Sequence, residues 1–155
     1  MANQYGITRR LCEVFGISGH NMDFEDRMWL TAYHTIMGIN FMCPHLYLYS
    51  MKGERKRDFP PTLSHQQPYW AFNKLFEDFS GRLCYVASVG KPVGDVCVLT
   101  PQETYYLAEP PVGLDRASFK DWNYDMDPVL RTLFKGQMNP DLGNEQIIEE
   151  EGSVE

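Results

Sequence analysis

The order of three short segments limits this chain more than any single residue does. Arg9 to Phe15 reads as a strand stopped by Gly16, and Gly16-Ile-Ser-Gly19 as a turn. A helix is expected next. Asn21 or Asp23 can cap it, Glu25 and Asp26 suit its positive end, and Phe24, Met28, Ala32 and Ile36 recur four apart as its apolar face. Gly38 fits the position just past its end, and Ile39-Asn-Phe-Met-Cys43 reads as a second strand leading into Pro44-His45. Parallel neighbours need a long crossover, so strand, helix and strand in this order predict a βαβ unit with the helix on one face.

Met51 to Gln67 is charged and Pro-rich, with neither helical nor strand periodicity, and reads as a long functional loop. Pro68 suits a first helical turn, and the helix it opens runs to about Val89, before Gly90, with Phe72, Phe76, Phe79, Leu83 and Val86 as its packing stripe. Gly94 to Pro101 contains a continuous apolar run, expected to be a strand buried on both faces of a parallel sheet. Helices are expected over Asp127 to Lys135 and Glu145 to Glu151. No second strand is expected after Val98, which leaves that sheet with unpaired edges. The division that follows is 1–67, 68–92 as a connecting helix, and 93–155 as the start of a further α/β domain.

The net charge of −7 is concentrated at one end, since Asp141 to Glu155 holds six carboxylates and no Lys or Arg. What remains is nearly neutral. The basic run Lys52 to Arg57 is broken by Gly53 and Glu54, so nothing here resembles a phosphate-binding surface, and nucleic acid is not an expected partner. Residues Met1 to Arg10 lack the apolar stretch of a signal peptide, and no run approaches the roughly 20 apolar residues of a membrane span. Compartment is left open. Cys12, Cys43, Cys84 and Cys97 have no paired spacing and sit in apolar company, which predicts buried thiols rather than disulfides or a zinc site. Cys43 and His45 offer two metal ligands without a second pair, so no metal or other cofactor is assigned.

Glu13 stands near the carboxyl end of the first strand, where parallel α/β barrels place catalytic groups. His45 stands in the same place on the second. Each has a bland alternative: a paired strand-end carboxylate, and a satisfied rim histidine.

Leu11-Cys-Glu13-Val-Phe-Gly16-Ile-Ser-Gly19, Phe24-Glu25-Asp26, Gly38-Ile-Asn40, His45-Leu-Tyr-Leu-Tyr49-Ser50 and Arg55-Lys-Arg-Asp-Phe-Pro-Pro61 form an ordered series. Together they resemble a stretch of large glycoside hydrolases related to the family 106 α-L-rhamnosidases and to other barrel enzymes not well classified. Gln66-Gln-Pro-Tyr-Trp70, Gly90-Lys-Pro-Val-Gly-Asp-Val96, Val98-Leu-Thr-Pro101 and Asn139 to Ile148 extend the resemblance over nearly the whole chain. The pattern departs at His20, where an aromatic often stands, and at Ala32-Tyr33, where an Asp-Trp pair does.

The resemblance implies that the chain holds the seventh and eighth strands of a (β/α)8 barrel, then a helical connection and the start of a parallel α/β domain. It is then a fragment, inactive alone, whose partners are a carbohydrate substrate and the remainder of the barrel. Glycoside hydrolysis uses two carboxyl groups, and the resemblance makes Glu13 the nucleophile or general base of the pair. It makes His45 a rim residue bonding sugar hydroxyls, and Tyr47, Tyr49 and Trp70 walls for sugar faces. A divalent cation in the parent protein stays open. The rival readings are a non-catalytic α/β interaction or oligomerisation module and a small carbohydrate-binding protein.

Overall fold

In the computed structural model, which describes residues 2–57, 60–94, 96–108 and 126–153, the strands expected at the start of the chain pair in parallel. Asp58, Phe59 and Asp95, which belong to the motifs quoted above, lie outside the described residues. The chain forms two compact units: Ile7–Pro92, and Met1–Gly6 together with Val93–Glu155. It is a mixed α/β protein with short parallel strand pairs.

In the first unit, β1 (Leu11–Val14) lies beside β2 (Phe41–Pro44), from Leu11 opposite Phe41 to Val14 opposite Pro44. The crossover between them is α1 (Phe24–Ile36), whose first turn is closed by the Asp23 carboxylate accepting from the Asp26 N–H at 3.0 Å. Asn40 ties the start of the pair together. Its side chain accepts from the Arg10 N–H and donates to the Thr8 and Ala87 carbonyls, so a buried amide satisfies backbone groups that the short ladder leaves over.

The apolar face expected of α1 is not the face it buries. Arg27 and Thr31 are wholly buried, whereas Met28 is 40% and Ile36 75% exposed. The helix is therefore rolled by one residue, about 100° at 3.6 residues per turn, from the orientation its apolar row implies. Packing against α2 (Asn73–Val89), which a turn of 3-10 helix at Trp70–Phe72 introduces, accounts for the roll. α2 differs from expectation in a similar way. Its buried residues are Asn73, Phe76 and Ser80, while Phe72 and Val86 at the ends of the expected stripe are exposed. The apolar cluster of this unit is Val14, Phe15, Met22, Leu63 and Phe76, flanked by Cys12, Phe24, Leu30 and Met42.

The long loop is structured at both ends. Gly53–Lys56 forms a 3-10 turn, too short to leave a periodic trace in the sequence. Pro60 to Leu63 is buried: the Leu46 N–H donates to the Pro61 carbonyl, and the Leu63 N–H donates to the Leu46 carbonyl. Gln66 and Gln67 fasten the segment by donating to the Leu48 and Thr62 carbonyls.

In the second unit, β3 (Val96–Thr100) pairs in parallel with β4 (Pro140–Asn144), which corrects the expectation that β3 lacks a partner. Pro140-Asp-Leu-Gly-Asn144 has no β-branched or aromatic residue, so its strand character comes from pairing rather than propensity. Gly143 suits the place, because a β-carbon there would lie 2.6 Å from the Cys97 sulfur and that side chain would have to shift. Nor is β3 buried on both faces: Cys97 and Leu99 are exposed, alternating with partly buried neighbours. The described residues of the unit also form the helices α3 (Gln102–Ala108), α4 (Met126–Lys135) and α5 (Glu145–Glu151), α5 capped by the Asn144 side chain. The cysteines are free, but Cys43 and Cys97 are exposed and the other two only partly buried, because strand alternation puts Cys43 and Cys97 on uncovered faces. Among the described residues no helix is long and apolar enough to cross a membrane.

Candidate functional site

Side chains alternate along a strand, and here the alternation divides β1 and β2 into two unlike faces. Cys12, Val14 and Met42 turn to the apolar cluster beneath, while Leu11, Glu13, Phe41 and Cys43 are exposed. Glu13 therefore stands at the carboxyl end of β1 on the open face. His45, one residue beyond β2, continues the ladder by donating its N–H to the Val14 carbonyl at 2.8 Å. Its Nδ1 lies 3.9 Å from Glu13 Oε1, beyond hydrogen-bond distance but within ion-pair range when the ring is protonated. The pair is open to solvent, with side chains 67% (Glu13) and 38% (His45) exposed. The His45–Leu46 peptide bond is cis.

The turn after Glu13 is strained. Phe15 has φ 69° and Ile17 φ 58°, a left-handed conformation that a bulky or β-branched side chain adopts at a cost of about 1–3 kcal/mol each. Gly16 lies between them, against the site: a β-carbon there would meet His45 Cδ2 at 3.5 Å and Glu13 Oε1 at 3.9 Å. Ser18 Oγ donates to the Phe15 carbonyl and closes the turn.

Beneath the turn lies a group that the sequence did not single out. The Arg27 guanidinium sits 4.0 Å from the Phe76 ring centre, and between 5.5 and 5.8 Å from those of Phe24, Phe15 and Tyr69. Its Nη1 donates to Asn73 Oδ1 at 2.9 Å, and its Nη2 lies 3.5 Å from Glu77 Oε1. Burial lowers the Arg27 pKa from its ordinary value, against the opposing pull of Tyr69 and Glu77. The phenols facing it are shifted upward: Tyr47 by burial and then by the Glu77 charge, Tyr69 by burial, with Arg27 opposing in both cases. The sequence signal was an arginine at position i+4 from Asp23 in a helix otherwise read by its apolar row, and such a residue ordinarily reads as a solvated charge.

Glu13 and His45 are thus brought together. The other three residues expected at the site are each at least partly exposed to water. Tyr47, half exposed, is coupled to Arg27 and Glu77, Tyr49 is 97% exposed, and Trp70 is 42% exposed in the turn before α2. Among the described residues no ring contact joins Tyr49 or Trp70 to the Glu13–His45 pair. A shallow trough of about 610 Å³ on α2, lined by Glu77, Asp78, Gly81, Arg82, Tyr85 and Val86, includes none of the expected site residues. No group of three or more His, Cys, Asp or Glu side chains suited to a metal occurs among the described residues.

What the geometry defines is a mixed α/β unit with a carboxylate and an imidazole at the carboxyl ends of adjoining parallel strands. Comparison with protein-family models, with curated proteins and with solved structures gave no match.

Proposed function

We propose that the Ile7–Pro92 unit is part of a glycoside hydrolase and that Glu13 is one of its two catalytic carboxylates. The observation that carries this reading is the placement of Glu13 and His45 at the carboxyl ends of neighbouring parallel strands, on a face that no helix covers among the described residues. Parallel sheets are as a rule covered on both faces. Leu11 and Phe41 are apolar, directly opposite each other and exposed, so the open face suits further strands of a (β/α)8 barrel better than it suits water. In that setting Glu13 acts as nucleophile or as base on water. His45 holds its carboxylate and meets sugar hydroxyls, and the second carboxyl comes from the strands that complete the barrel. The strained turn at Phe15 and Ile17 belongs to the same reading, because strain of this kind gathers at functional sites.

The test is chemical rescue in the polypeptide translated from the whole open reading frame. Glu13→Ala should abolish hydrolysis of activated aryl glycosides. Azide should then restore it with formation of a glycosyl azide if Glu13 is the nucleophile, and fail to do so if Glu13 is the base. Undiminished hydrolysis by Glu13→Ala would remove Glu13 from the mechanism.

A second reading, a non-catalytic interaction module, draws on the outer side of α2, where Phe72, Leu75, Tyr85, Val86 and Val89 are exposed. It gives the strand-end pair no role, and for that reason ranks second.

A further inference from the structure

We infer that Arg27 is a positioning residue for the Glu13–His45 pair, acting through the ring of Phe15. The inference rests on the reading of that pair as the functional site, but it concerns the geometry of the pair and not its chemistry.

Phe15 is two residues beyond Glu13 and has the largest positive φ among the described residues that are not glycine. A phenylalanine stays in the left-handed region only where its surroundings hold it there. Two groups do so. The Phe76 ring meets it edge-on with centres 5.9 Å apart, and the Arg27 guanidinium stands 5.6 Å from its ring centre. Arg27 contacts Phe76 more closely still, so the cation links the two rings.

The guanidinium is itself fixed. Asn73 and Glu77 engage it from α2, and the Asn73 amide donates to Glu77 Oε1 at 3.0 Å, so donor, acceptor and charge form one network. A chain of contacts then runs from α2 through Arg27 and Phe15 to the bend at Gly16, and the bend sets Gly16 beside His45 and Glu13, with room for no more than a β-carbon in ordinary contact between them. Arginine suits this place better than lysine, because a planar cation can stack on a ring while bonding sideways to an amide.

Burying an arginine for packing alone is costly, and an apolar residue of similar length would serve that end as well. The inference therefore separates from a merely structural role by experiment. In the isotope-labelled chain, nuclear Overhauser contacts between the Gly16 α-protons and the His45 ring report the bend directly. Arg27→Met fills the same space, and it leaves Glu77, whose side chain is 43% exposed, able to turn to water. This variant should fold, with cooperative unfolding and native far-ultraviolet dichroism, yet lose most of the Gly16–His45 contact intensity, while Arg27→Lys should recover only part of it.

Phe15→Leu keeps the cation and removes the ring. It should lose the same contacts, and it supplies the test if Arg27→Met fails to fold. Full contact intensity in a folded Arg27→Met, or in Phe15→Leu, would overturn the inference. None of these outcomes depends on hydrolytic activity, so the Arg27 inference can fail while the glycosidase reading stands, and the reverse.

Discussion

At the scale of single residues, the least foreseen feature is a cation shielded from water by rings. Arg27 reads in the sequence as one more charge on a polar helix, because pattern reasoning assigns arginine to the surface, and the partners that make burial tolerable come from α2, 46 and 50 positions away. The strand-end place of Glu13 was legible for the opposite reason: it follows from a local apolar run stopped by a glycine three positions on. The same cluster sets an alkaline response. Tyr47 and Tyr69 are held above the ordinary phenol range, chiefly by burial. The unfolded chain then gives up those protons first. Stability tied to the neutral phenols is complete below the usual tyrosine value of about 10, and it is lost as pH rises from there through the folded-state values. Urea midpoints should fall above about pH 10, and they should fall less steeply in Tyr69→Phe, where one of the two protons has been removed from the balance. Equal slopes for the two proteins would contradict the account.

At the scale of elements, the strand, helix, strand order was readable because each boundary carries a local signal: Gly16, the Asp23 cap, and the bend after β2. What could not be read was the rotation of each helix, since that depends on which neighbour it meets. α1 buries Arg27 and Thr31 rather than its apolar row, and α2 buries Asn73, Phe76 and Ser80. β4 escaped notice because its residues have no strand propensity and are held by pairing with β3. One consequence concerns α2, which leaves Leu75 72% and Val86 65% exposed on its outer side. Exposed apolar surface of this kind binds hydrophobic dyes and promotes association. The purified chain should bind such a dye and elute larger than a monomer, and Leu75→Glu with Val86→Glu should reduce both effects while leaving the helix signal unchanged. Monomeric elution with no dye uptake by the parent chain would show that the surface is not sticky.

At the scale of the whole molecule, each unit pairs its strands in parallel and, among the described residues, leaves a sheet face partly open. Parallel topology was legible in the first unit from a crossover helix of suitable length, and in the second only from β3. The step from parallel pair to barrel is the proposal made above. It ties the open apolar face to the catalytic role of Glu13, since a carboxylate at the carboxyl end of a barrel strand points at the substrate. The most direct test of that claim is the turnover of Glu13→Gln against the unsubstituted protein, measured on an aryl glycoside with the polypeptide from the whole open reading frame. Gln keeps the size of the side chain and removes its charge, so binding should persist while kcat falls about 10²–10⁴-fold or more. A kcat within a fewfold of the parent would contradict the account and return Glu13 to the role of an ordinary strand-end carboxylate beside His45.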